Sequence, residues 1–280
     1  MTMTRHVHSR SVALWGFPVV YLGWAYLFWL PIFLSDASVW SFPKVLFFLL
    51  GGASPAVAGI GLAYATGGAD RVRDMGHRLV DVGRISARWW VVVLGFWLAY
   101  DLLLSGAAVL LGVSDSPINV EPGQLLDPGT LGFWLVLSFV FPLVEEVGLR
   151  GYYLDRLQER FGPTVSGLLN GGTWAAWHAP FVWFPGYYAG LSFSPELWWW
   201  LPSIVLQTLL IVWVYNNTGR SILAVLVFHG TLNLTGMVLG LAPEMEPFGL
   251  VGATLAAAAL VVHWRRTGPR DTASTASDGA

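Results

Sequence analysis

Residues 89–113 read WWVVVLGFWLAYDLLLSGAAVLLGV, with a single charge, Asp101, in the whole run. An α-helix rises about 1.5 Å per residue and about 20 apolar residues cross a ~30 Å hydrocarbon layer, so this stretch is long enough to span a bilayer. Comparable runs lie on both sides of it: 12–34 and 44–66 before, then 130–150, 164–184, 197–215, 221–241 and 247–264 after. The spacing predicts an all-α, polytopic membrane bundle of about eight transmembrane helices. Composition agrees, because 55% of the residues are hydrophobic and 11% charged, whereas about a quarter of a soluble domain is charged. Residues 1–264 are expected to form one membrane domain with no room for a soluble one. Residues 265–280, rich in Thr, Ser, Ala, Gly and Asp, read as a disordered tail. The absence of cysteine excludes disulfides, thiolate catalysis and Cys-ligated zinc.

Placement of basic residues sets the expected orientation. With the N-terminus cytoplasmic and an even number of spans, Arg5, Arg10, Arg71, Arg73, Arg78, Arg84, Arg88, Arg150, Arg156, Arg160, Arg220, Arg265, Arg266 and Arg270 share one side, and only Lys44 falls on the other. Such one-sidedness places both termini in the cytoplasm. The first apolar run follows a basic stub but is too long for a cleaved signal and lacks a small-residue cleavage site, so it is expected to be retained. Segment 69–88 interleaves arginines with Val72, Met75, Leu79, Val82 and Ile85, which reads either as an amphipathic helix on the inner leaflet or as a basic loop. Tryptophans near span ends (Trp15, Trp40, Trp89, Trp198, Trp199, Trp200, Trp264) are expected at the interfaces. No repeat, phosphate loop or nucleic-acid motif is present.

Three polar clusters interrupt the apolar spans, where an ionisable group costs at least ~2.5 kcal/mol and so calls for a function. The first is Glu145, Glu146 and Arg150. Glu146 and Arg150, at i, i+4, share a helix face and can pair; Glu145 points about 100° away, has no local partner and is suited to act as a base. The bland alternative makes both glutamates a cytoplasmic helix end. The second cluster is Trp174 and His178, again i, i+4, so that the indole can fix the imidazole. The third is His229 and Asn233, two donors on one face that can hold a developing oxyanion, or else serve as an interhelical clamp worth about 1 kcal/mol. Counted from the expected cytoplasmic boundary, Glu145 lies ~8 Å deep, His229 ~12 Å and His178 ~21 Å. For these to meet, Gly171 and Gly172 are expected to delay or break the fifth helix, and a cavity open to the cytoplasm is expected beside them.

The ordered set Glu-Glu-x-x-x-Arg, aromatic-x-x-x-His and His-x-x-x-Asn, over residues 145 to 233, resembles the CPBP family of membrane proteins. That family contains the type II CAAX prenyl endopeptidases and bacterial proteins linked to bacteriocin processing or self-immunity. The resemblance implies an intramembrane protease in which Glu145 and His178 activate a water and His229 and Asn233 form the oxyanion site, with Glu146, Arg150 and Trp174 in support. Trp174 stands where the family usually has Phe, which is expected to change a wall rather than the chemistry. The resemblance also implies a peptide or protein substrate, lipidated C-terminal peptides being the family's best-known class, in contact with membrane lipids, and no cofactor. No nucleic acid is expected, and a plasma membrane location is expected with the site accessible from the cytoplasm.

Other readings stay open from sequence. Glu145, His178 and His229 are ligand types of a catalytic zinc site, although no His-Glu-x-x-His helix is present. A non-catalytic membrane partner or immunity protein would keep the same fold. A transporter would account for Asp101, Asn170 and Gln207, but no repeat with paired broken helices is visible.

Overall fold

The computed structural model describes residues 2–189 and 194–267, with side chains from residue 14 onward. Among the described residues the architecture is helical, as the apolar periodicity requires. The helices are α1 (Thr2–Phe33), α2 (Lys44–Gly52), α3 (Ser54–Val80), α4 (Ala87–Leu110), α5 (Pro128–Gln158), α6 (Pro163–His178), α7 (Leu197–Asn217), α8 (Ile222–Leu239) and α9 (Met245–Thr267). By length and composition, six of these can cross a membrane, or seven if α2 and α3, bent by 41° at their junction, count as one span. The expectation of eight rested on 164–184 as a full crossing. That stretch is a 16-residue helix, α6, continued by a 3₁₀ turn over Ala179–Trp183. Sixteen residues reach only about 24 Å, and Pro180, which has no N–H to donate, stands just beyond the helix end.

The chain is an integral membrane protein. Its outer helices turn leucine and valine outward, with Leu103 77% and Leu110 88% exposed, a surface that is stable only against lipid. The most enclosed spans are α7 and α8. Helix α7 packs between α6 and α9, α8 lies against α4 and α5, and α5 packs on α3. Backbones touch where glycine permits. A Cβ on Gly148 of α5 would lie 2.0 Å from the carbonyl oxygen of Pro55 in α3. A Cβ on Gly171 would lie 2.9 Å from Cα of Val205 in α7. Gly171 therefore does not break the fifth helix; α6 is continuous through both glycines, and Gly171 is the point where α7 presses against it.

Helix α5 is longer than the apolar run predicted. It continues past Arg150 to Gln158, and two of its turns, Val136–Val140 and Leu149–Tyr153, are π-helical. Each π turn inserts an extra residue and rotates the following side chains; such turns recur at functional sites. They bracket Phe141–Gly148, the turns bearing both glutamates. A short link after Gln158 leads into α6 at Pro163, so α5 and α6 form an antiparallel hairpin. Glu145 lies about 20 Å before the end of α5, and Trp174 and His178 about 17 and 22 Å after the start of α6. The depth mismatch between Glu145 and His178 disappears because α5 runs on, not because α6 breaks.

The 69–88 segment continues α3 to Val80, after a bend at Gly68 (φ 64°), and then forms a 3₁₀ turn, Val82–Arg84. Met75 is buried, with Val72 and Leu79 packed on the core, so this apolar side faces protein. Arg78 is buried and inserts into a polar junction. It donates to the Tyr215 hydroxyl at 2.7 Å and to the Gly151 carbonyl at 2.7 Å, and lies 3.2 Å from Asp155, which also pairs with Arg220. This network ties α3, α5, α7 and the start of α8 together, each charge being paired as burial demands. Among the expected interfacial tryptophans, Trp15, Trp40 and Trp198 are exposed, whereas Trp89 and Trp199 are buried; Trp89 meets Trp213 edge to face at 4.8 Å. Arg265 and Arg266 belong to α9, and residues 268–280 of the expected tail lie outside the described residues.

Candidate active site

The three polar clusters meet where α5, α6 and α8 pack. On α5, Glu145 is 6% exposed and Glu146 fully buried. The indole Nε1–H of Trp174 donates to Glu145 Oε2 at 2.6 Å. This bond crosses the α5–α6 hairpin between residues at similar distances from its turn, about 20 and 17 Å. One carboxylate oxygen is thereby fixed, while Oε1 makes no hydrogen bond to any described residue. Trp174 is consequently more than a wall: Phe in its place would have no hydrogen to donate.

Glu146, on the adjacent face, accepts at one oxygen from two partners. Arg150 Nη1 lies 2.8 Å from Oε1, as the i, i+4 spacing predicts, and Nδ1 of His229 on α8 lies 2.8 Å from the same atom. Arg150 is fully buried. Its Nη2 donates to Thr208 Oγ1 on α7 at 3.4 Å, and its guanidinium lies over the Trp174 ring, 4.6 Å from the centroid. A buried guanidinium with a carboxylate on one side and an aromatic face on another has its charge balanced in both directions. Thr208 carried no signal in the sequence; its part depends on the α6–α7 packing at Gly171, whose Cβ position is 3.0 Å from the Thr208 hydroxyl. Asn170, noted among the polar residues, donates to the Leu149 carbonyl at 2.9 Å and braces the hairpin.

His178 is half-buried in an aromatic box. Its ring centroid lies 5.2 Å from Trp174, 4.8 Å from Trp177, 5.3 Å from Phe181 and 5.4 Å from Trp200, all steeply inclined. Nδ1 lies 3.1 Å from the Trp174 carbonyl. A carbonyl only accepts, so Nδ1 carries the hydrogen, and Nε2 of the neutral ring has a lone pair for another donor. His229 is 4% exposed, with its ring 5.0 Å from Trp174, edge to face. Its Nδ1–H donates to Glu146, so Nε2 can donate to a ligand only when the ring is an imidazolium. Asn233 lies one turn further along α8, half-buried, with no hydrogen bond to a described residue, so its amide is available.

Trp174 is thus the hub: it bonds Glu145, stacks under Arg150 and separates the two imidazoles. Asp101, left without a partner by the sequence, accepts from Thr235 Oγ1 at 2.8 Å and links α4 to α8 outside this cluster. Among the described residues, no three His, Cys, Asp or Glu side chains converge as a bound metal ion requires. Glu145, His178 and His229 do not form a ligand set among the described residues.

Comparison with known proteins points the same way. A family model described as type II CAAX prenyl endopeptidase, Rce1-like, matches residues 127–235, the segment running from the start of α5 through the third cluster. Over 244 residues the chain is 26% identical to a CAAX prenyl protease 2 from Methanococcus maripaludis, covering 85% of this chain and 89% of that protein. Both comparisons find the chain similar to type II CAAX prenyl endopeptidases, one of the groups within the CPBP family that its motifs resemble.

Proposed function

We propose that this protein is an intramembrane endopeptidase in which Glu145 is the general base, His178 orients the attacking water, and His229 and Asn233 bind the oxyanion. The observation that carries the reading is the state of Glu145: a nearly buried carboxylate with one oxygen held by Trp174 and the other open. A base needs that arrangement, since the bound oxygen fixes the rotamer and the open one takes the proton. The water donates one hydrogen to Glu145 Oε1 and the other to His178 Nε2. Its lone pair attacks the scissile carbonyl carbon as Glu145 takes a proton, and the carbonyl electrons move onto oxygen, between His229 Nε2–H and the Asn233 amide. Collapse of the tetrahedral intermediate breaks the C–N bond, and the proton on Glu145 passes to the leaving amine.

The substrate is proposed to be a membrane-associated peptide cut near its C-terminus, of the prenylated C-a-a-X kind named by the relative. We place the site in a prokaryotic plasma membrane, reached from the side of the α5–α6 turn, which carries Arg156 and Arg160 and is taken as cytoplasmic. Purified protein in detergent is expected to cleave a farnesylated C-a-a-X peptide, to leave the unprenylated peptide largely intact, and to keep its activity after exhaustive chelation, read by mass spectrometry. Loss of cleavage on chelation, restored by zinc, would replace the water-only mechanism; an uncut peptide in every condition would make the non-catalytic partner reading the leading one.

Trp174→Phe keeps the ring contact with His178 and deletes one hydrogen bond to the Glu145 carboxylate. Hydrogen bonds to charged groups contribute about 1.5–3 kcal/mol, so kcat is expected to fall about 10- to 100-fold with the fold intact, as measured by initial rates and thermal denaturation. An unchanged kcat would show that the Glu145 rotamer is held without the indole.

A further inference from the structure

The π turn Leu149–Tyr153 follows directly on the two glutamates, and side chains from two other helices bond its carbonyls. The Leu154 N–H closes the turn on the Leu149 carbonyl, five residues back rather than four. The same oxygen accepts from Nδ2 of Asn170 on α6 at 2.9 Å, which its second lone pair allows. From α3, Arg78 Nη2 donates to the Gly151 carbonyl at 2.7 Å, while Nη1 donates to the Tyr215 hydroxyl at 2.7 Å and lies 3.2 Å from Asp155. Arg78 and Asn170 are both buried, so water does not compete for either bond. Gly151 makes room for this approach, since a Cβ there would stand 3.0 Å from Ile222 Cδ1 and 3.2 Å from Met75 Cε. A π turn carries one residue more than an α turn and so sets the rotation of the helix before it. The chain after the turn is anchored, because Asp155 accepts from Tyr215 at 2.6 Å and pairs with Arg220. Relaxation of Leu149–Tyr153 to α geometry would therefore act on the glutamates, turning them by about 100° and shifting them about 1.5 Å. Glu145 would leave the Trp174 indole, and Glu146 would leave His229.

We propose that Arg78 and Asn170 are positioning residues for the hydrolysis: by bonding the Gly151 and Leu149 carbonyls they hold the π turn, and the turn holds Glu145 toward Trp174 and Glu146 toward His229. The inference rests on the hydrolytic reading above and adds what keeps its base in place. Neither residue touches the water or the substrate. Each acts through the backbone of α5, Arg78 from α3 and Asn170 from the other arm of the hairpin.

The test compares full-length wild type with Asn170→Leu, Arg78→Lys and the double variant, using the farnesylated peptide in detergent and reading kcat, KM and Tm. Leucine keeps the volume of Asn170 and removes an amide whose Oδ1 has no hydrogen-bond partner among the described residues, so Tm is expected to stay near that of wild type. Lysine keeps the charge beside Asp155, but a single ammonium lacks the fork with which the guanidinium serves that carboxylate and Gly151 together. A misplacement of about 1 Å can cost about 100-fold in rate, so kcat is expected to fall about 10- to 100-fold in each single variant, with KM within about threefold. Because both bonds act through one turn, the double variant is expected to lie within about threefold of the slower single variant, well short of the product of the two losses. An unchanged kcat in either single variant overturns the proposal. So do losses that multiply in the double variant, or a kcat that falls only as Tm falls, since these make the two residues separate packing braces. If wild type itself cuts nothing, hydrolysis and the positioning role fail together; if wild type and the single variants cut equally, only the positioning role fails.

Discussion

Replacing Glu145 by glutamine is expected to reduce peptide cleavage by about 10²- to 10⁴-fold, the range over which a positioned general base contributes. Glutamine preserves the volume and can still accept from the Trp174 indole, so the fold should be unaffected. What is lost is the oxygen that takes the proton. Asn233→Ala removes one oxyanion donor, a loss of about 10²- to 10³-fold elsewhere, and should leave measurable turnover. The two variants differ in kind as well as degree. Product formed from farnesylated peptide in single-turnover mass spectrometry would vanish into background for Glu145→Gln and persist for Asn233→Ala. Equal, mild losses in both would remove Glu145 from the role of base, whatever the geometry around it.

The second large effect falls on stability. Glu146 Oε1 accepts from both Arg150 and His229, and Glu146 and Arg150 are each fully buried. Glu146→Ala would strand a guanidinium in the bundle interior, at a cost of about 3–5 kcal/mol. Thr208 and the Trp174 face cannot offset that, because neither carries a full negative charge. The variant is expected to lose Tm sharply in detergent and to lose activity even where it folds, since His229 would be without its carboxylate. Adding Arg150→Met to Glu146→Ala removes the stranded charge and should recover much of the Tm but none of the activity. Recovery of both would mean that the pair only braces α5; recovery of neither would place the destabilisation in the lost His229 contact.

The geometry explains why these residues are legible as spacing but not as partners. Glu146–Arg150 is an i, i+4 pair, fixed by helix pitch alone, and the structure has it as read. Trp174 and His178 share a face in the same way, with rings 5.2 Å apart. The Glu145–Trp174 and Glu146–His229 bonds join residues 29 and 83 positions apart, and nothing in local periodicity selects them. The expectation that Trp174 changes a wall rather than the chemistry did not include its bond to Glu145, because an indole N–H finds its acceptor on another helix. Depth went the same way. The hydropathy of 130–150 stops at the glutamates, yet α5 runs on to Gln158 because Tyr152, Tyr153, Leu154 and Leu157 are buried against the rest of the bundle.

By itself the sequence determined the membrane setting, the all-helical architecture and the i, i+4 spacing of the three polar clusters, because hydropathy and the 3.6-residue period are local properties of the chain. Tertiary structure alone decided that α6 is too short for a full span, that α5 extends one hairpin arm to bring Glu145 level with Trp174 and His178, and that Glu146 serves Arg150 and His229 at one oxygen. Those outcomes depend on π turns, on backbones meeting at Gly148 and Gly171, and on which buried donor reaches which acceptor, and each is settled by packing between segments far apart in the chain.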